Sequence, residues 1–306
     1  MFLDYFKLRE QPFGDTPDPR YLFQSRTHRE AMASLYCGVT SGRGFMAVIA
    51  RPGMGKTTLL FQLAQRIDST AKTVFLFQTH TSPRDFLRSL MADLGIPDED
   101  GDPVKIHSKL NQMLVREYRK GKRFVLIIDE AQNLDTSVLE VVRMLSNCEN
   151  SAQKLIQIIL SGQPQLARKL ASQEMVQLRQ RLSMVARLKP FTPEETSLYM
   201  DHRLSIAGYD FENPLFTPEA TSLIARASRG IPRNVNNLCF NSLMLGGALE
   251  QREITEEMVC DVLADLDLSS IEYEDPVRLE ASSGTHHNPH RGLTQAPHLP
   301  MEVETP

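Results

Sequence analysis

The chain has 306 residues, 41% hydrophobic and 24% charged, with a formal net charge of −4; that make-up suits one or two packed globular domains and excludes collagen-like or wholly disordered chains. The negative balance supplies no global attraction to nucleic acid or an anionic membrane. Cys37, Cys148, Cys239 and Cys260 are widely spaced without a C-x-x-C pair. The sequence supports neither a disulfide framework nor a cysteine metal site, and with no leader pattern or long apolar run a cytoplasmic location is expected.

Residues 1–26 are rich in proline and aromatics and too punctuated for regular structure, so they are expected to form a strap anchored by Phe6, Phe13, Tyr21 and Phe23. A helix is predicted over 27–40, stopped at Gly42 and Gly44. The apolar run Phe45 to Ile49 then reads as a buried strand. It leads through Ala50-Arg51-Pro52-Gly53-Met54-Gly55-Lys56-Thr57-Thr58 into Leu59-Leu60-Phe61-Gln62-Leu63 at helical spacing. Strand, glycine loop and helix together form a phosphate loop. Backbone N–H groups of residues 51–58, Pro52 excepted, curl round the phosphates, and the helix start adds its positive end. Gly53 and Gly55 allow close backbone approach, Lys56 supplies a point charge, and the Thr57 hydroxyl is placed to ligate Mg²⁺. The first glycine of the strict pattern is replaced by Ala50, a mild departure at the strand end.

Residues 72–77 read as a second strand, and a helix follows with Phe86, Leu87, Leu90, Met91 and Leu94 on one face. Another helix over 106–118 precedes a basic cluster, Arg119-Lys120-Gly121-Lys122-Arg123, read as a solvated loop before a buried strand. That strand, Phe124 to Ile128, ends in Asp129-Glu130. Asp129 can hold Mg²⁺ through its water shell and Glu130 can polarise an attacking water, the two tasks phosphoryl transfer needs at this point. A helix is predicted over 134–145, then a strand from Leu155 ending at Ser161-Gly162-Gln163-Pro164. Alternating strands and helices predict a parallel sheet with its ligand site at the strand carboxyl ends. After Pro190 the pattern turns wholly helical, with Thr192 and Thr217 as caps and four helices before Leu268. Residues 269–306 read as a disordered polar tail whose His286, His287 and His290 could at most bind a metal.

These residues resemble the AAA+ ATPases of the ExeA/GspA type, known from type II secretion, with similar ATPases of pilus and exopolysaccharide loci. The resemblance rests on Tyr5-Phe6-x-Leu8-x-Glu10-x-Pro12-Phe13, Pro17-Asp18-Pro19-x-Tyr21-Leu22, Ser25, His28-x-Glu30-Ala31, Ile128-Asp129-Glu130-Ala131-Gln132 and Gly162-Gln163-Pro164-Gln165-Leu166. It implies a P-loop NTPase α/β fold: strap 1–26, nucleotide-binding domain 27–190, small all-helical lid 191–268 and tail 269–306. It further implies ATP and Mg²⁺ as ligands, the region of Phe13 and Pro19 beside the adenine, and Gln163 or Ser161 as the sensor near the γ-phosphate. Arg233, in Arg229-Gly230-Ile231-Pro232-Arg233, would couple lid closure to nucleotide state. Arg181, slightly preferred to Arg179, would be a finger that completes a neighbour's site in an oligomer.

Secretion members of this type continue into a membrane span and a peptidoglycan-binding domain absent from this sequence, so separate envelope or secretion proteins are the expected partners. The competing expectation is a DNA-binding ATPase of the transposition or replication-initiator kind, with DNA as a less favoured partner. A third is an ATP-occupancy switch with little turnover.

Overall fold

Five short runs dominated by apolar and β-branched residues become the strands β1 (Phe45–Ile49), β2 (Ala71–Leu76), β3 (Arg123–Ile128), β4 (Ile156–Gly162) and β5 (Met184–Arg187). In the computed structural model, which describes residues 2–77, 82–96, 103–149 and 154–266, they pair in the order β2-β3-β4-β1-β5, every pair parallel. Residues of β1, β3 and β4 are buried almost throughout, because helices cover both faces, the usual condition of a parallel sheet.

Alternation along the strands sorts the two faces. Phe45, Ala47, Ile49, Phe124, Leu126, Ile128, Ile158 and Leu160 share one core. It is closed by α4 (Pro83–Asp93), α5 (Pro103–Arg119), α6 (Thr136–Leu145), α7 (Pro164–Ala171) and α8 (Val176–Arg179). Met46, Val48, Val125, Ile127 and Ile159 point the other way, against α2 (Arg26–Thr40) and α3 (Lys56–Ile67).

Four helices follow the sheet: α9 (Pro193–Ile206), α10 (Pro218–Ser228), α11 (Pro232–Ala248) and α12 (Glu256–Leu266). Thr192 and Glu195 close a reciprocal cap on α9, and Thr217 caps α10, as the Thr-Pro-Glu sequences require. These helices have a separate core, and it includes Phe6, Leu8 and Phe13. None of the described helices is long and apolar enough to cross a membrane.

Details at the amino terminus and after β3 differ from the sequence reading. The amino-terminal segment contains a short helix, α1 (Phe2–Tyr5), and a 3-10 turn at Pro19–Tyr21. The turn forms because the Asp18 carboxylate caps the Arg20 N–H beside a proline that already holds the required φ. The helix predicted from 134 starts at Thr136, since residues Ala131–Asn133 form a 3-10 turn after a left-handed Glu130. The tail expected over 269–306 lies outside the described residues.

Candidate functional site

The sheet delivers three chain segments to its carboxyl edge, and the residues there follow from where each strand stops. β1 ends at Ile49, and the Ala50 N–H donates to the Gly162 carbonyl of β4 (3.1 Å). Ala50 therefore belongs to the strand end and lies off the phosphate-facing curve, which explains why a methyl group is tolerated there. The loop then turns with Gly53 at φ 74° and Gly55 at φ 78°. Met54 between them is fully buried and pins the underside of the loop into the core shared with α2 and α3. Among the described residues, the N–H groups of Gly53, Met54, Gly55, Lys56 and Thr57 have no protein acceptor. Backbone donors gathered at a helix start suit an anion.

Lys56 opens α3 and is only 5% exposed. Burial pushes its ammonium below the ordinary lysine range, Glu130 and Asp129 pull it back, and Arg233 adds to the lowering. A cation held this way gains from any anion that enters. Thr57 Oγ1 donates to Asp129 Oδ2 at 2.6 Å, and the other Asp129 oxygen accepts the Glu130 N–H at 2.9 Å. A hydroxyl and a carboxylate are hard oxygen ligands of the kind Mg²⁺ takes, one or two from protein and the rest from phosphate and water. The residues present fit both groups.

Glu130 adopts φ 49° and ψ 34°, a strained conformation for a side chain with a Cβ, worth about 1–2 kcal/mol. It brings Oε1 to 3.9 Å from Lys56 Nζ. Oε2 accepts from Gln132 Nε2 (2.6 Å) and Gln163 Nε2 (3.1 Å). Of the two sensor candidates, Gln163 lines the cavity. Ser161 is fully buried, and its hydroxyl has no partner among the described residues.

The cavity holds about 350 Å³, within the range of small-molecule sites. It is lined by Pro52 to Thr58, by Gly14 to Asp18 with Tyr21, Leu22 and Phe23, and by His28, Phe191, Tyr199 and Arg203. Of the strap expected to pass beside the adenine, Gly14 to Asp18 and Tyr21 to Phe23 line the cavity, while Phe13 is buried as an anchor in the helical core against Phe216, ring centroids 6.3 Å apart. Arg51 is exposed and outside the lining.

Arg233 stands at the start of α11, lines the cavity, and its N–H donates to the Gly53 carbonyl (3.2 Å). Arg181 and Arg179 are elsewhere. Ser183, two residues after Arg181, donates to the carbonyl of Phe45 at the beginning of β1, so this segment sits at the amino edge of the sheet. Arg181 is bonded there to Ser146 (3.1 Å) and Asn147, and Arg179 donates to the Ala171 carbonyl (2.8 Å).

Sequence reasoning assigned no role to His28, Gln132, Tyr199, Arg203 or Asn236. The His28 ring is buried between Met54 O (3.0 Å from Nε2) and Ser25 Oγ (2.8 Å from Nδ1). A carbonyl only accepts, so Nε2 carries the proton, and burial, which lowers the imidazole's proton affinity, keeps the ring neutral. Arg203 is buried, donates to the carbonyls of Pro12 and Gly14 and to Tyr199 Oη, and lies over the Tyr21 ring at 4.5 Å. Asn236 donates to Gly14 O (3.3 Å) and accepts from Tyr199 Oη (2.7 Å). His28 and Gln132 were signalled only as members of the quoted motifs, and Tyr199, Arg203 and Asn236 only as polar residues buried on the helices α9 and α11.

Residues 39–170 match the family model described as an AAA domain. Over 255 residues the chain is 34% identical to general secretion pathway protein A of Aeromonas hydrophila; the match covers 83% of this chain and 46% of that protein, so the chain spans about half its length. Among solved structures, the Aeropyrum pernix ORC2 protein superposes with a TM-score of 0.64 at 17% identity, over 84% of this chain and 71% of that one. The Thermotoga maritima RuvB Holliday junction branch migration motor gives 0.55 at 17%, over 80% and 70%. At such identities the likeness is one of fold.

Proposed function

As the chain belongs with the AAA ATPases of the general secretion pathway protein A type, we propose that it binds Mg-ATP in this cavity and hydrolyses it to drive secretion or envelope assembly through partner proteins. The observation that carries the reading is the meeting of Lys56, Thr57, Asp129 and Glu130, from two segments far apart in sequence, at one edge of the sheet. Bound Mg-ATP supplies the phosphoanhydride bond and the metal charge. The loop N–H groups and Lys56 bind and neutralise phosphate oxygens, and the Thr57 and Asp129 oxygens hold the cation. Glu130 accepts the proton of the attacking water, with Gln163 fixing the carboxylate. Arg233 ties the start of α11 to the loop, so the helical element acts as a lid that reports nucleotide state. Arg181, at the other edge, serves a neighbour's site in an oligomer.

Lys56→Ala should abolish nucleotide binding, measured by equilibrium titration with a fluorescent ATP analogue. Glu130→Gln should keep binding and lose turnover by about a hundredfold or more. Equal ATP affinity in wild type and Lys56→Ala would overturn the assignment.

A further inference from the structure

The catalytic carboxylate is held by a residue that no part of the reading above employs. Gln132 lies one residue beyond the Asp-Glu-Ala sequence, in the 3-10 turn Ala131–Asn133. Its two amide ends do different things. Nε2 donates to Glu130 Oε2 at 2.6 Å, and Oε1 accepts the backbone N–H of Gln163 at 3.0 Å. The Gln163 side chain then donates to the same Glu130 oxygen at 3.1 Å. Carboxylate, turn amide and strand end thus close a ring of three hydrogen bonds.

Two further contacts fix the ring in place. Lys169 Nζ of α7 donates to the carbonyls of Gln132 (2.9 Å) and Leu134 (2.6 Å), which holds the turn backbone. At the end of β4, a Cβ on Gly162 would stand 2.8 Å from Gln132 Oε1. Leu166, with Cδ2 at 2.7 Å, closes the same space, so a side chain there would press on both.

The consequence concerns which lone pairs of Glu130 are free. An ionised carboxylate has about four acceptor sites, two per oxygen. Those of Oε2 are taken by two amide donors, which leaves Oε1, on the Lys56 side of the cavity, to receive a proton. We propose that Gln132 is a positioning residue which, by tying the Glu130 carboxylate to the end of β4, aims Oε1 at the reacting centre. The inference rests on the ATPase reading for its kinetic consequence and on the apo protein alone for the tie itself.

Two variants separate the ends of the tie. Gln132→Ala removes both. Gln132→Glu is isosteric and still accepts the Gln163 N–H, but it places like charges where the 2.6 Å bond was. Both variants should lower kcat tenfold or more with KM for ATP within twofold of wild type, since the interaction matters to the reaction and little to binding. Hydrogen exchange on the nucleotide-free protein gives the second readout. Gln163 amide exchange should accelerate tenfold or more in Gln132→Ala, with the strand amides Ile159 and Leu160 unchanged, and stay at the wild-type rate in Gln132→Glu.

Wild-type kcat in Gln132→Glu, or a KM that rises in step with the fall in kcat, would overturn the proposal. So would unaltered Gln163 exchange in Gln132→Ala. If Gln132→Ala does not fold, Gln132→Glu decides alone. A wild-type protein that binds no ATP or fails to turn it over would instead overturn the functional reading, while the exchange measurement still judges the tie.

Discussion

Gly53→Ala tests how tightly the helical element packs on the phosphate loop, and Gly42→Ala is its control. Both residues have φ near 70°, at 74° and 69°. A left-handed residue with a Cβ costs about 1–2 kcal/mol, offset by about 0.4–1 kcal/mol from the less flexible unfolded chain, so each change carries a net backbone cost of about 1 kcal/mol. Around Gly42 a new methyl group meets nothing within 4 Å, and the cost ends there. At Gly53 it would lie 2.7 Å from Arg233 Cβ and 3.1 Å from Ile231 Cγ2. Carbon atoms prefer about 3.5–4.0 Å, so the start of α11 must retreat by roughly 1 Å. That retreat breaks the bond from the Arg233 N–H to the Gly53 carbonyl, adding about 1 kcal/mol. The expected total is about 2 kcal/mol, a Tm lower by about 4–8 °C, with ATP affinity at least tenfold weaker. Gly42→Ala should lose about half that stability and bind ATP normally. Calorimetry and nucleotide titration check both, and a Gly53→Ala protein that melts with Gly42→Ala and binds ATP like wild type would refute the packing argument.

Two other outcomes are expected. His28, whose proton affinity is lowered mainly by burial and partly restored by the Met54 carbonyl and Glu195, binds a proton less readily folded than unfolded. Its contribution is therefore complete above its ordinary value near 6.5 and is lost as pH falls through the native value. Wild type should lose a few degrees more in Tm between pH 7 and pH 5.5 than His28→Gln, which keeps an N–H donor but has no titrating ring; parallel curves would exclude His28. Turnover per subunit should fall on dilution if Arg181 works in a neighbour's site, and Arg181→Ala should abolish that dependence along with most of the rate. A rate per subunit that is flat on dilution contradicts the finger.

The sheet and the loop were legible because their signals are local. An apolar run, two glycines, a lysine and a threonine stand within fourteen residues, and steric rules give such a stretch one architecture. Asp129 and Glu130 were legible for the same reason, as the charged end of a buried strand. The choice between Ser161 and Gln163 was not: two residues apart, they would share a face if the strand ran on, and only the place where β4 stops, at Gly162, leaves Ser161 buried and lets Gln163 reach the cavity. The dual role of Gln132 was hidden too, because its partner Gln163 is 31 residues away. Arg203 offers the plainest case. In sequence it is one basic residue of a polar helix segment; its meaning is two carbonyls that precede it by 191 and 189 residues.

The amino-terminal aromatics have a consequence for biosynthesis. Phe2 and Phe13 rest against Phe240 and Phe216, so these side chains leave the ribosome and await partners that are translated some two hundred residues later. At about 5–20 residues per second that interval is roughly ten to forty seconds. Throughout it these aromatics stay uncovered on the nascent chain, and the core of the helical element closes only by joining segments made far apart in time.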